Sequence, residues 1–394
     1  MSIPETHPHP KRKVILVSMS LFLIIVAIGF FFYWWKWGRF DEYTDDAYVT
    51  GNSVYVTPQI SGIITNIYAD DTWYVEQGQI LALLDQTDYK IALDKSCAYL
   101  AQTIRDVAEL FAGANQKKAQ IRVAKAEFIK DSEDFERRSA LVDSGSVSKE
   151  DFSHATAALT SSYFSLVAAE QEFFSLQAQI ENTTIQTHPL VEQAIQEVKK
   201  SWIQLGRCTI KAPATGIIAQ RRAQVGERVS SKEFILSIVP LDEIWVEANY
   251  KEDQIGSMQI GQKATISTDI YGSRVLYEGE VVGIGAGTGS IFSLLPPQNA
   301  TGNWIKIVQR VPIRISLSPS QILEYPLRLG LSTEVHVDIH PLKNPPLSQE
   351  PTSLPLYTTT IFVNEEEGSK ALIDTIFTNN LPSFPLEYPK EDLP

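Results

Sequence analysis

Cysteine is almost missing from this chain of 394 residues: Cys97 and Cys208 are the only two. If the helical stretch described below folds back about Gly145, Cys97 faces a residue near 193. Cys208 then lies about 15 residues, on the order of 20 Å, out of bonding range. Two unpaired thiols serving as small apolar side chains are the expected state. Basic charge is also scarce, with 34 Lys and Arg against 47 Asp and Glu for a net charge of -13. No basic cluster fit to neutralise phosphates occurs, which excludes nucleic acid as a partner. Nor is there a nucleophile elbow, a paired His-Glu metal motif or a Walker loop. No catalytic, cofactor-binding or metal-ligating residue is therefore assigned, and an enzyme is not expected.

Long apolar runs are missing too, with one exception. Val14 to Trp35 holds about 22 residues without a charge, enough to cross a bilayer core of roughly 30 Å. Lys11, Arg12 and Lys13 precede it, and Tyr33, Trp34, Trp35 and Trp37 form an aromatic belt at its far end. This predicts one transmembrane helix with the N-terminus in the cytoplasm, although Lys36 and Arg39 make the basic bias slight. A cleaved signal peptide is the alternative, but the run is too long and no small-x-small site follows it.

What the chain does contain is a repeat. Ser61, Gly62, Ile63 and Ile64 lead to Val75, Gly78, Leu81, Leu84 and Asp85. Thr215, Gly216, Ile217 and Ile218 lead to Val229, Ile235 and Ile238 at matching offsets. Each copy reads as a strand pair around a turn, and each buries one face, so each needs the other. The expected shared core is Gly62, Ile64, Val75, Gly78 and Leu81 with Gly216, Ile218, Val229 and Ile235.

Between the copies, apolar residues recur at alternating spacings of three and four. Leu93, Cys97, Leu100, Ile104, Val107, Phe111 and Ala114 lead on to Ile121, Phe128 and Phe135, interrupted by Lys118, Lys125 and Ser132. No proline falls in this run, which predicts a helix of about 75 Å. Ala155, Leu159, Leu166, Ala169, Phe173, Leu176 and Ile180 repeat the rhythm on a return arm. The arm breaks over residues 181–189 at the His188-Pro189 step, and Val191, Ile195, Val198, Trp202 and Leu205 form a last helical piece. A compact bundle would need several turns here, whereas only Asp143 to Ser148 supplies one, so an antiparallel coiled-coil hairpin is expected.

After Pro240 the pattern changes to alternating strands, Ile244 to Tyr250, Lys263 to Ile270, Val275 to Ile284, Trp304 to Leu317 and Thr333 to His340. These suit a small antiparallel barrel, with Tyr48 to Thr57 as a candidate extra strand. Beyond His340, nine prolines and the acidic run Glu365 to Glu367 predict an extended, poorly ordered tail. The resulting plan is mixed α and β and elongated. Its parts are a cytoplasmic tail (1–13), membrane helix (14–35), linker and first barrel strand (36–56), half-motif (57–87), hairpin (88–206, tip near 141–149), half-motif (207–240), barrel (241–340) and tail (341–394).

These residues resemble the periplasmic adaptor, or membrane fusion, proteins of the HlyD family, in which the half-motifs are similar to a split lipoyl-like domain. The closer resemblance is to the EmrA-type multidrug-efflux adaptors. It rests on Thr44-Asp45-Asp46-Ala47-Tyr48-Val49, on Gly285 to Ser290 with Leu294-Leu295-Pro296, and on Gln298-Asn299-Ala300-Thr301-Gly302-Asn303-Trp304. It covers residues 14–340, and the tail departs from it. The resemblance implies a non-enzymatic bridge from the bacterial inner membrane, with the bulk periplasmic. Its implied partners are a proton-driven major-facilitator transporter (EmrB-like), a TolC-type outer-membrane channel, and copies of itself in a ring. It further implies channel contact at the hairpin tip through an Arg, a Leu four residues on and a Ser seven beyond, supplied here by Arg137, Leu141 and Ser148. Arg138 competes for the first place.

Several motifs in the sequence suggest sharper functions. A lipoyl carrier needs a lysine at the turn between its halves, but the hairpin replaces that turn, and neither Asp-Lys-Ala nor Met-Lys-Met occurs. Glycines 283, 285, 287 and 289 suggest a phosphate loop, yet no helix follows them, and a barrel loop is expected. His336, Asp338 and His340 share one strand face, a conceivable metal site, but a solvated surface opposite Val335, Val337 and Ile339 is preferred. Asn182-Thr183-Thr184 and Asn299-Ala300-Thr301 fit a glycosylation pattern that carries little information. Two alternatives to drug efflux stay open at this point, an adaptor for ATP-driven type I protein secretion and an envelope scaffold without transport.

Overall fold

In the computed structural model, which describes residues 10–36, 38–143, 145–289, 291, 308–343 and 353–381, the apolar run folds as α1, Pro10–Lys36. Its side chains from Val14 onward are all exposed, as befits a helix whose apolar surface meets lipid. It is the one helix among the described residues long and apolar enough to cross a membrane. Strands β1, Asp41–Gly51, and β2, Val54–Val56, come next. The first half-motif follows as β3, Gly62–Ile67, β4, Tyr74–Val75, and β5, Ile80–Leu84. The chain leaves in α2, Thr87–Val142, and returns in α3, Lys149–Ile180, and α4, Pro189–Gly206. It re-enters the sheets as β6, Thr209–Lys211, β7, Gly216–Arg221, β8, Arg228–Val229, and β9, Leu236–Val239. Then come β10, Ile244–Lys251, β11, Lys263–Thr268, β12, Gly272–Ile284, β13, Arg310–Leu317, α5, Pro319–Glu324, β14, Ser332–Asp338, and α6, Ser369–Asn380.

The two half-motifs interleave. One sheet runs β2-β9-β7-β4 and the other β6-β5-β3-β8. Exchanging β2 with β6, β3 with β7, β4 with β8 and β5 with β9 turns one order into the other, so each sheet draws strands from both halves. The residues at equal offsets, Ile64 and Ile218, Val75 and Val229, Leu81 and Ile235, Leu84 and Ile238, all enter one core. Neither half could close it alone, because each presents one apolar face. The symmetry extends to the backbone: Thr72 and Gly226, also at equal offsets, both have positive φ, +71° and +86°.

Six strands, β1-β10-β13-β12-β11-β14, close a barrel around Val246, Tyr250, Ile266, Tyr277, Val281, Ile313, Ile315 and Val335. The stretch Tyr48 to Thr57, read as one candidate strand, is two. Asn52 and Ser53 break it, β1 stays in the barrel, and β2 pairs with β9 while Val56 enters the lipoyl-like core. The boundary expected at residue 56 therefore falls at the turn before Val54.

In the hairpin, Leu93, Leu100, Ile104, Val107 and Ala114 are buried on α2. Farther out, the two helices bury only small side chains, Ala155 and Ser162, and leave larger ones partly exposed. There Phe128 stacks near Tyr163 at 5.9 Å, Phe135 stacks on Phe152 at 5.4 Å, and Lys117 pairs with Glu172 on α3 at 2.5 Å. The return arm ends where expected. His188 caps α4, its Nδ1 accepting from the Leu190 N–H at 3.3 Å while its Nε2 faces the Gln179 carbonyl at 3.1 Å, and Pro189 takes the first helical position, where its missing N–H costs nothing.

The expected shapeless tail is corrected by α6. Leu372, Ile373, Ile376 and Phe377 fall at helical spacing, and Ile373 and Phe377 are buried in the core shared by α2 and α4. The proline content that suggested disorder belongs to the flanks of this helix.

Candidate functional site

The tip of the hairpin gathers Arg137, Leu141 and Ser148, the three residues that the family resemblance implies. Helix α2 ends at Val142, and the chain reverses through Gly145, whose φ of +73° is a conformation glycine adopts without strain. Ser148 opens α3: its Oγ accepts from the Asp151 N–H at 3.0 Å and donates to the Asp151 carboxylate at 2.6 Å. Glu150 and Asp151 sit in the first turn, where the helix dipole favours negative charge. Ser148 thus has a structural task that sequence reading missed, although the Ser-x-x-Asp spacing of a capped helix start was there to find.

The two arginines separate clearly. Arg138 Nε holds Asp134 at 2.8 Å, and its guanidinium also reaches the Asp151 carbonyl on α3 at 3.4 Å, stapling the two arms together. Arg137 makes one long contact to Asp134, at 3.5 Å, and its side chain is 69% exposed. Leu141 stands one turn farther along the same face as Arg137 and is 47% exposed. The tip thus presents a cation and an apolar side chain outward, beside a capped helix start.

The other singled-out residues are structural in their contacts. Thr44, Asp45, Asp46, Ala47 and Tyr48 lie on β1, where the pairing with β14 shifts register between Thr44 and Ala47. The Thr44 hydroxyl donates to the Asn249 carbonyl at 2.9 Å and accepts from the Asp46 N–H at 3.2 Å. Asp46 also receives the Asn249 amide at 3.3 Å and pairs with Arg310 at 3.3 Å. This network ties the irregular part of β1 to β10 and β13. Gln298, Asn299, Thr301, Gly302, Asn303 and Trp304 lie outside the described residues.

Along the glycine run, Gly285 N–H donates to the Pro312 carbonyl at 2.8 Å and Gly289 N–H to that of Arg310 at 3.4 Å, so the run is laid against the chain leading into and along β13. His336 pairs with Asp41 at 2.9 Å and packs on Tyr43, while His340 pairs with Asp338 and stacks on Phe40 at 4.1 Å. Each histidine has its own acid and its own ring, and no group of three that could hold a metal ion occurs among the described residues. Cys97 sits in the hairpin-base core and Cys208 in the lipoyl-like core. Burial raises both thiols, Cys208 to about 11, so neither is a ready nucleophile.

The chain is similar to known proteins over most of its length. It is 42% identical to the "Probable multidrug resistance protein EmrK" of Escherichia coli (strain K12), over 86% of this chain and 88% of that protein. It is 42% identical to the "Multidrug export protein EmrA" of the same strain, over 87% and 88%. The family model "EMRA, alpha-helical hairpin domain" matches residues 87–208. Among solved structures, that of the periplasmic adaptor protein EmrA aligns over 76% of this chain and 98% of its own, at 20% identity and a TM-score of 0.38.

Proposed function

Because the chain belongs to the EmrA family of membrane fusion proteins, which are non-enzymatic adaptors, we propose that it is the periplasmic adaptor of a tripartite multidrug efflux system. In this reading α1 anchors it in the bacterial inner membrane with the N-terminus cytoplasmic and the bulk periplasmic. Its partners are a proton-driven, EmrB-like transporter of the major facilitator type and a TolC-type outer-membrane channel. One hairpin cannot enclose a conduit, so several copies stand in a ring. Transport energy comes from the transporter.

The observation that carries the reading is the length of the hairpin and the exposure of Arg137 and Leu141 at its tip. Helix α2 has 56 residues, roughly 80 Å at 1.5 Å per residue, and ends in a tip where Arg137 and Leu141 face outward. A channel built of helices can receive such a tip by packing helix against helix. Arg137 supplies the charge and Leu141 the apolar contact. Ser148 shapes the turn through its cap and offers what remains of its hydroxyl.

The test is a tip variant that keeps the fold, Arg137→Ala with Leu141→Asp. Arg138 and Ser148 are left in place so that the staple and the cap survive. Loss of tolerance to hydrophobic toxicants, together with loss of crosslinking to the channel at unchanged protein level, is the expected result. Full tolerance would remove the tip from the mechanism.

A further inference from the structure

The segment that follows the barrel does not stay near it. Thr359 receives the Gln77 side-chain amide at 3.3 Å, on the turn between β4 and β5 of the lipoyl-like domain. Glu365 then pairs with Arg207, the residue just past the end of α4, through Nε at 3.2 Å and Nη2 at 2.8 Å. Glu366 pairs with Lys199 on α4 at 2.9 Å. Gly368, at φ +89°, lets the chain turn tightly over Trp202: a Cβ there would lie 2.9 Å from that ring. Helix α6 then buries Ile373 and Phe377 against α2 and α4, and Asn380 receives Arg105 of α2 at 2.7 Å.

These contacts fall on both sides of one joint. The hairpin meets the lipoyl-like domain through two short crossings, Asp85-Gln86 between β5 and α2 and Arg207-Cys208 between α4 and β6. Tyr89, whose hydroxyl donates to the Ser61 carbonyl at 2.9 Å, is a further tie. Long helices on such connections would swing, since a few residues at element ends suffice to absorb a hinge motion. A cleft of about 500 Å³ stays open under the segment, between Tyr55, Lys211 and Phe362, so the segment bridges the joint without filling it. Its acidic residues meet the cations of α4, and its apolar residues meet the apolar stripe of α2 and α4.

We propose that residues 359–380 are a brace that spans the joint between the lipoyl-like domain and the hairpin and fixes the angle of the hairpin, held by the Glu365–Arg207 and Glu366–Lys199 pairs and by the Ile373–Phe377 face. The inference stands on the fold and does not use the efflux reading, so its readout is a distance and not drug tolerance.

The experiment uses the full chain in lipid nanodiscs, with Cys97 and Cys208 replaced by alanine. Spin labels are placed at Gln116→Cys on α2 and Lys232→Cys in the lipoyl-like domain, both exposed positions. With the brace intact, one narrow distance distribution is expected. Deleting residues 353–394, or reversing charge with Glu365→Lys and Glu366→Lys, should roughly double its width. Adding Arg207→Glu and Lys199→Glu to the reversed brace should narrow it again, which also shows that the reversed chain is folded. Unchanged width on deletion overturns the proposal, and so does widening that the exchanged charges fail to restore.

Discussion

Gly216 sits so close to Val239 that a Cβ on it would lie 2.3 Å from the Val239 carbonyl oxygen, with Ile238 Cγ2 at 2.9 Å. Its counterpart Gly62 is less tight, its nearest contact being Leu84 side-chain carbon at 3.3 Å. The first obstruction is backbone in a β-ladder and cannot yield, whereas the second is a side chain that shifts by tenths of an ångström. Gly216→Ala is therefore expected to destabilise the protein by about 2–4 kcal/mol and Gly62→Ala by about 1 kcal/mol or less. Chemical denaturation of the two variants side by side measures the difference, and equal effects would show that the halves are packed alike.

Thr72 holds φ at +71° where its symmetry mate is Gly226. A β-branched residue in that region is strained by about 1–2 kcal/mol. Thr72→Gly should thus raise stability, by on the order of 1 kcal/mol once the greater freedom of glycine in the unfolded chain is subtracted. A lower melting temperature in Thr72→Gly than in the parent would contradict the strain argument.

At the hairpin tip, removing the cap and removing the staple should be distinguishable. Ser148→Ala loses the bond to the Asp151 N–H and is expected to cost about 1 kcal/mol, while Ser148→Asn keeps a capping oxygen and should cost a few tenths. Arg138→Ala should raise hydrogen exchange at the start of α3, and Arg137→Ala should leave it unchanged. Equal exchange in the two arginine variants would remove the distinction drawn between them.

Cys208 gives the stability a defined pH dependence. A thiol in the unfolded chain ionises near 9.0, but burial keeps Cys208 protonated to about 11. The folded state therefore holds the extra proton between those values. The associated stability is complete below pH 9 and is lost as the pH rises toward 11, an effect on the order of 2 kcal/mol. Unfolding free energies at pH 8.5 and 10.5 should fall more steeply for the parent than for Cys208→Ala.

Charging the shared core provides a further test. Ile218 is 1% exposed and lies among side chains of both half-motifs. Ile218→Asp would bury an unpaired carboxylate there. It is expected to leave too little folded protein for detection by limited proteolysis, and a protease-resistant variant would argue against a common core.

Much of this was legible from the residues in order. The half-motifs revealed themselves because Ile64 and Ile218, or Val75 and Val229, serve the same interior from equal offsets, and β10, β11, β13 and β14 alternate because one face of each meets the core. What escaped notice depended on partners far away in sequence. The three residues of β2 carry no pattern of their own, and only their pairing to Leu236–Val239 assigns them. Helix α6 is twelve residues, too short to hold alone, so its helicity rests on a groove formed some 170–280 residues earlier in the chain, at Leu100, Ile104 and Val198. Arg137, Leu141 and Ser148 came from the family resemblance, and the distinction between Arg137 and Arg138 came from Asp134 and Asp151.

The pairing of Leu83 with Thr209 also fixes an order of events. These strands cannot meet until the whole hairpin has been synthesised, and closing so long a flexible loop would be slow. Helices α2, α3 and α4 each form from local backbone bonds, and their packing, with Leu100 and Ile104 in one cluster with Val191 and Val198, brings the two strand ends side by side. The arm that reaches away from the lipoyl-like domain in the finished protein is thus the device that assembles it, so weakening the seam at Ile104 or Val107 should slow the folding of a β domain to which neither residue belongs.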